Sequence, residues 1–472
     1  MALFGSLVLV LFLLLRPMEL WPAVAQLHSL EVLSTITAIG IAWEMAARER
    51  GSGGSPQLRW LAAFWVWSYS VTVVRLGLDA GLKAGWAGMT LGVIFMLLVM
   101  LALPKLSRLR AMMALLLACS TFVSVVAVHQ GYQPRQCVEL HEDLSDPSPD
   151  REVELVPDGR ECEGARLCEA DGVPGSDYVC ERVGMFGTYS TQGRVRWRGQ
   201  LDDPNEVAVI IGALLPFMFM FARKREAGVE GGSNAKRVVL LIVLALVLGV
   251  GLWAVVLTQS RGGQLVVGAV VVTMLARRFG WWSIVGGVVV TLPIVLLSWR
   301  AGADADASSM ERAEILSEGL LMLKAHPLLG IGVGQFASEN PLNLAAHNSY
   351  LLIATEVGFP GLLVWCGLVW MTVKIPLTIA RRPPPGLAPE LVFFAEALAS
   401  STFGLLIGVF FLSFIYKHIF FVWLALAGAL YGAVRAAHPE LEVRATKRDA
   451  AGIFAFAVIA IVCVRLASMT AR

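Results

Sequence analysis

HPLLGIGVGQFASENPLNLAAHNSYLLIATEVGFPG, His326–Gly361, sets a glycine-rich turn and the block His347-Asn348-Ser349-Tyr350 directly against a long apolar run. His326-Pro327 and the glycines at 330, 332 and 334 predict a turn rather than a helix. The apolar run after His347 reaches the length of roughly 20 residues that a bilayer-crossing helix needs. A polar, histidine-bearing loop therefore meets the start of a membrane helix. Upstream, Thr258-Gln259-Ser260-Arg261-Gly262-Gly263 interrupts a second apolar region. An unpaired arginine near membrane depth costs roughly 2.5 to 3.5 kcal/mol or more, so Arg261 reads as a functional residue.

The rest of the chain agrees with a membrane setting. It has 472 residues, 57% hydrophobic and only 16% charged, with a mean hydropathy of +0.68, whereas soluble domains carry about 25% charged residues. The expected fold is an all-α polytopic membrane protein. About twelve spans of bilayer length can be drawn between Leu27 and Leu466. The run Ala2–Leu15 is a thirteenth, and it reads either as a first helix or as a signal sequence with Ala23-Val24-Ala25 resembling a cleavage site. The formal net charge of +2 says little about partners, and no nucleic-acid motif is present.

Basic clusters mark the inner side: Arg48 and Arg50; Lys105, Arg108 and Arg110; Arg223 to Arg225 with Lys236 and Arg237; Arg277 and Arg278; Arg381 and Arg382; Arg435 to Arg448. The opposite, external face then receives the long 129–203 loop, the Ser260-Arg261-Gly262 turn and the Trp299–His347 segment. The expected organisation is N-terminal helices at 1–128, an outer loop at 129–204, central helices at 205–298, a second outer loop at 299–347 and C-terminal helices at 348–472. In the first loop Cys137, Cys162, Cys168 and Cys180 suit two disulfides in an oxidising compartment, with three pairings open. Cys119, Cys366 and Cys463 lie in apolar spans and read as small buried hydrophobes. In the second loop Ser308-Ser309-Met310-Glu311 predicts a helix start. Ile315, Leu316, Gly319, Leu320 and Leu323 then fall on one face of an interfacial helix ending near Lys324.

Several arginines gather near the outer span ends: Arg194, Arg196 and Arg198 before Gly199, then Arg261, then Arg312 on the interfacial helix. Guanidinium groups grip phosphate oxygens through paired hydrogen bonds, which suits a diphosphate-bearing lipid substrate. For any one of them, snorkelling or pairing with Asp202, Asp203 or Glu311 is the alternative. His347 is the natural general base, since imidazole titrates near neutrality. On the same element Asn348 can cap the helix, and Glu356 can orient or pair with an arginine. No His, Asp or Cys stands at metal-ligand spacing, so no metal or other cofactor is expected. Gly330-Ile331-Gly332-Val333-Gly334 is not read as a nucleotide loop, because no strand precedes it.

Three blocks carry a family likeness: Arg198-Gly199 with Asp203-Pro204-Asn205, then Ser260-Arg261-Gly262, then Pro327-Leu328-Leu329-Gly330-Ile331-Gly332 with His347-Asn348-Ser349-Tyr350, Glu356-Val357-Gly358 and Pro360-Gly361. In these the chain resembles the O-antigen ligase and O-antigen polymerase superfamily of bacterial surface-polysaccharide enzymes. The likeness covers about Arg194 to Val373, and the cysteine-bearing loop has no counterpart in it. What it implies is a glycosyltransferase C-type membrane protein in the bacterial inner membrane, with its active site facing the periplasm. The implied reaction is metal-independent, inverting glycan transfer from an undecaprenyl-diphosphate-linked donor. Arg198 and Arg261 would hold the diphosphate, His347 would take the acceptor proton, and Arg312, Asn348 and Glu356 would contact substrate. The acceptor would be a glycan or lipid A core, and a chain-length regulator protein is a further implied partner. A polymerase of repeat units is the favoured reading, a ligase to lipid A core or protein the second, and a non-enzymatic transporter the third. A transporter would place ionisable residues at midspan, whereas these cluster at span ends.

Overall fold

A computed structural model describes residues 1–47, 54–142, 153–170, 172, 176–226, 234–297 and 303–469. The main helices are α1 (Ala2–Leu15), α2 (Ser29–Ala46), α3 (Gln57–Leu76), α4 (Leu78–Ala102), α5 (Leu106–Gly131), α6 (Pro204–Glu226) and α7 (Asn234–Thr258). They continue as α8 (Arg261–Phe279), α9 (Trp282–Leu297), α10 (Ala303–Ala325), α11 (Ser349–Arg381), α12 (Pro389–Gly408), α13 (His418–Arg435) and α14 (Lys447–Met469). Eight of them, α4 to α7 and α11 to α14, contain stretches long and apolar enough to cross a membrane, and α1, α8 and α9 include shorter apolar helices. Helices suit such sequences because each satisfies its own backbone hydrogen bonds where no water is at hand.

Burial and hydropathy separate in a way that identifies the solvent. The α7 stretch has a mean hydropathy of 3.0, yet only 17% of it is buried, whereas the α6 stretch, at 1.7, is 89% buried. In water the more apolar helix would be the buried one, so the surface around α7 is lipid-facing. Val239, Ile242 and Leu246 are among the side chains it exposes. At the centre α6, α8 and α12 pack closely through small residues. A Cβ on Gly263 would fall 2.2 Å from that of Ala208, and one on Gly408 would fall 2.6 Å from Val209.

Between α5 and α6 stands a small cap, an antiparallel sheet in the order β2-β1-β3 built from β1 (Arg135–Glu142), β2 (Val153–Glu161) and β3 (Asp177–Arg182). Cys137 is bonded to Cys168 and Cys162 to Cys180. These interleaved bonds replace the hydrophobic core that so short a segment cannot build.

One boundary differs from the sequence expectation. The helix placed at Ser308-Ser309 starts five residues earlier, at Ala303. The stretch Ala303-Asp304-Ala305-Asp306-Ala307 combines the strongest helix former with acidic residues in the first turn, so it nucleates the helix before the serines are reached. Its other end, at Ala325, matches. Arg48, Arg50, the 227–233 connector and the residues around Trp299 lie outside the described residues.

Candidate active site

The Gly330 turn and α11 are built for each other. α11 is broken at Gly358, which has φ 73°, with Pro360 just beyond. The turn enters that break: the Ile331 N–H donates to Thr355 O at 2.9 Å, Gly332 N–H to Glu356 O at 2.8 Å and Phe359 N–H to Pro327 O at 2.8 Å. Gly330 also has a positive φ of 64°, and a Cβ there would lie 2.4 Å from the Glu356 carbonyl. Glycine is required at both positions because backbone meets backbone. Buried Glu356 completes the join. Its carboxylate accepts the Phe336 N–H at 3.2 Å and the Tyr416 hydroxyl.

The block beginning at His347 is stitched to the segment after α12. Asn348 caps α11 by accepting the Leu351 N–H at 2.9 Å, and its Nδ2 donates to Phe410 O at 2.7 Å. Ser349 Oγ donates to Leu412 O at 2.6 Å and accepts the Phe414 N–H at 2.9 Å. These bonds fix the backbone immediately after His347, which itself takes a left-handed φ of 47°. Non-glycine residues hold that conformation only when their surroundings enforce it.

His347 is half-buried, and the charges acting on it are those of Arg312, Asp203 and Glu311. Burial, reinforced by the Arg312 guanidinium, holds its pKa below the ordinary histidine value of 6.5. At neutral pH the ring is therefore uncharged and can accept a proton. Asp203 stands at the start of α6, where its carboxylate accepts the Asn205 N–H at 2.6 Å and Asn205 Nδ2 at 2.7 Å. Beside it Lys417 bridges Asp202 at 3.2 Å and Glu206 at 2.6 Å. Burial works against the Lys417 charge, but Glu206 and Asp202 outweigh it and raise the pKa.

Arg261 opens α8 behind Gln259, which is left-handed at φ 51°, and behind Ser260, whose hydroxyl caps the helix by accepting the Gly263 N–H at 3.1 Å. The Arg261 side chain is exposed, with no hydrogen bond or ion pair among the described residues. Two contacts locate it. A Cβ on Gly262 would touch Phe411 at 3.1 Å, next to the Phe410 carbonyl that holds Asn348, and Gly263 abuts Ala208 on α6. Arg194 fastens the same turn from outside, donating to Thr258 O and Asn205 Oδ1, each at 2.8 Å.

The sequence-derived candidates thus separate by position. His347 and Arg312 come together, and Arg261 opens a helix joined to the same segment that holds Asn348. Neither Arg261 nor Arg198 is among the charges acting on His347. Arg198 sits at the base of the cap with Nη2 donating to Phe186 O at 2.6 Å and Gly187 O at 2.5 Å, while its Nε is buried without a partner. Asn348 and Glu356 are buried and committed to partners inside the protein. Sequence reasoning placed Asp203 in a family-like block and read it as an arginine partner, and it passed over Lys417 and Glu206. The signal for them was polar: Asp202-Asp203-Pro204-Asn205-Glu206 opening one span and Tyr416-Lys417-His418 opening another.

A comparison with curated proteins gives no match. A family model described as O-antigen ligase matches residues 246–366, a stretch that takes in Arg261, Arg312, the Gly330 turn, His347 and Glu356 but neither Arg198 nor the disulfide cap. Over that stretch the chain is similar to the O-antigen ligase family.

Proposed function

We propose that the protein transfers a glycan from a polyprenyl-diphosphate carrier, undecaprenyl diphosphate, to an acceptor hydroxyl at the periplasmic end of the helices. The observation that carries this reading is a neutral His347, fixed in a left-handed backbone beside Arg312 and Asp203, on the face where α8 presents an unpartnered Arg261. His347 takes the proton from the acceptor hydroxyl as its oxygen attacks the anomeric carbon. The bond from that carbon to the phosphate oxygen breaks, its electron pair leaves with the diphosphate, and the anomeric centre inverts. Arg261 stabilises the charge appearing on the leaving diphosphate, and Arg198, with its unpartnered Nε, assists. Two arginines in this role make the step metal-independent. Arg312 contacts substrate and keeps His347 neutral. Asn348 and Glu356 serve by positioning the loop that carries the base.

In this reading all the main helices except α10 cross the inner membrane, thirteen in number, with α10 lying at its outer surface. The basic clusters at the ends remote from His347 set that orientation. We favour polymerisation of O-antigen or exopolysaccharide repeat units, because the disulfide-stapled cap joins α5 to the segment bearing Arg194, Arg196 and Arg198 and could hold a growing chain. The family description favours ligation to lipid A core or protein as the second reading. The lipid-linked glycans of a deletion strain separate the two. Loss of a polymerase leaves single repeat units on carrier or acceptor, whereas loss of a ligase leaves full-length chains on the carrier and a bare acceptor.

A further inference from the structure

The ends of α6, α8 and α11 remote from His347 enclose two clefts. One, of about 420 Å³, lies among α6, α8, α11 and α12 and is walled by Met220, Met274 and Ala397. The other, of about 490 Å³, lies among α11, α12 and α14 and is walled by Trp370, Leu406 and Phe456. Both are lined by Val373, Leu377, Phe403 and Arg381, so they adjoin along the last turns of α11 as two mainly apolar arms with Arg381 common to both. Each arm falls in the range of about 300–1,000 Å³ of pockets that hold organic ligands.

Charge on the walls is unevenly satisfied. Asp449 is saturated by Lys374 Nζ at 2.6 Å, the Thr446 N–H and hydroxyl at 2.6 Å each, and Trp370 Nε1 at 3.0 Å. Glu396 is also partnered. Arg381 and Arg382 remain exposed, with no side-chain hydrogen bond or ion pair among the described residues. The surplus on the cleft is thus positive and lies at its rim, while the interior is hydrocarbon. Arg110, Arg435 and Lys447 end or begin helices on this same side, which by the positive-inside rule is the cytoplasmic leaflet, where anionic lipids accumulate.

We propose that this forked cleft binds one anionic diacyl phospholipid of the inner leaflet, with an acyl chain in each arm and the phosphate on Arg381 and Arg382. The fork suits two chains from one headgroup, whereas a polyprenyl carrier brings a single chain. The site lies more than twenty residues along α11 from His347, so it is independent of the transfer reaction.

The test is native mass spectrometry of purified, delipidated full-length protein offered phosphatidylglycerol, phosphatidylcholine with the same acyl chains, and a polyprenyl monophosphate. The wild type should retain one phosphatidylglycerol at least tenfold better than phosphatidylcholine. Arg381→Ala/Arg382→Ala, at exposed positions where folding is not at stake, should abolish that preference, and Leu377→Trp should reduce retention by filling both arms. Equal retention of the two phospholipids, a preference that survives in the double variant, or tighter retention of the polyprenyl phosphate would overturn the proposal.

Discussion

Arg261 is a cation at the positive end of a helix dipole, a placement that is unfavourable by roughly 0.3–1 kcal/mol unless an anion is present. Among the described residues no carboxylate pairs with it, and in the proposed reaction the diphosphate of the substrate supplies the compensating anion. Arg261→Ala should therefore lower transfer by about 10²–10³-fold at unchanged membrane level, the usual loss when a transition-state donor is removed. Arg261→Lys should restore only part of it, because an ammonium cannot give paired hydrogen bonds. Quantifying product alongside protein abundance checks both. His347 makes a second residue-scale prediction. Its pKa is depressed by burial and then by Arg312, so the base stays deprotonated below pH 6.5, and the acid limb of kcat/KM should fall under that value. Removing the positive charge in Arg312→Gln should raise the His347 pKa and move that limb upward. A pH–rate profile in which the limb stays put in the variant would break the link between the two residues.

At the scale of elements, the join between the Gly330 turn and the broken α11 holds the site together. A Cβ at Gly358 would lie 2.2 Å from the Leu328 carbonyl oxygen, on a residue with φ 73°. Gly358→Ala should therefore destabilise the protein by about 1–3 kcal/mol from its glycine-only backbone conformation alone, with the contact adding to it, as read by thermal unfolding in detergent. The cap is held differently, by disulfides spanning 31 and 18 residues. In the chain-entropy model each contributes about 3 kcal/mol or more. Cys162→Ser/Cys180→Ser should loosen the cap, measured as faster hydrogen exchange in β3, and leave α6 and α12 unaffected.

Much of this was legible in the sequence, and the reasons are physical. Hydrophobic runs, glycine-bearing turns and basic clusters are local signals, so the helices, the Gly330 turn and the candidates His347 and Arg261 could be read residue by residue. The start of α10 was missed because a serine pair matched an N-cap while the alanine-rich stretch before it carried the greater helix propensity. The partners of His347 were harder to read. Asp203 lies 144 positions away in the chain, and only packing of α6 against α8 and α12 brings its charge to the imidazole. The cap expected at Asn348 is present, but the bonds that tie Asn348 to Phe410 and Glu356 to Tyr416 join residues about 60 positions apart, and only the fold reveals them.

At the scale of the whole molecule, the two ends of the helix bundle carry different chemistry. One end brings together His347, Arg312 and Asp203, with Arg261 at the start of α8, and the other carries Arg381, Arg382 and the forked cleft. The account's central claim is that the first end performs glycan transfer. The most direct measurement incubates purified protein in proteoliposomes with a polyprenyl-diphosphate-linked glycan and an acceptor glycan, and follows released polyprenyl diphosphate together with the lengthened acceptor. The account predicts both products in equal amounts from the wild type, with neither from Arg261→Ala nor from His347→Ala at matched protein and normal unfolding temperature. Equal product from wild type and His347→Ala would contradict it.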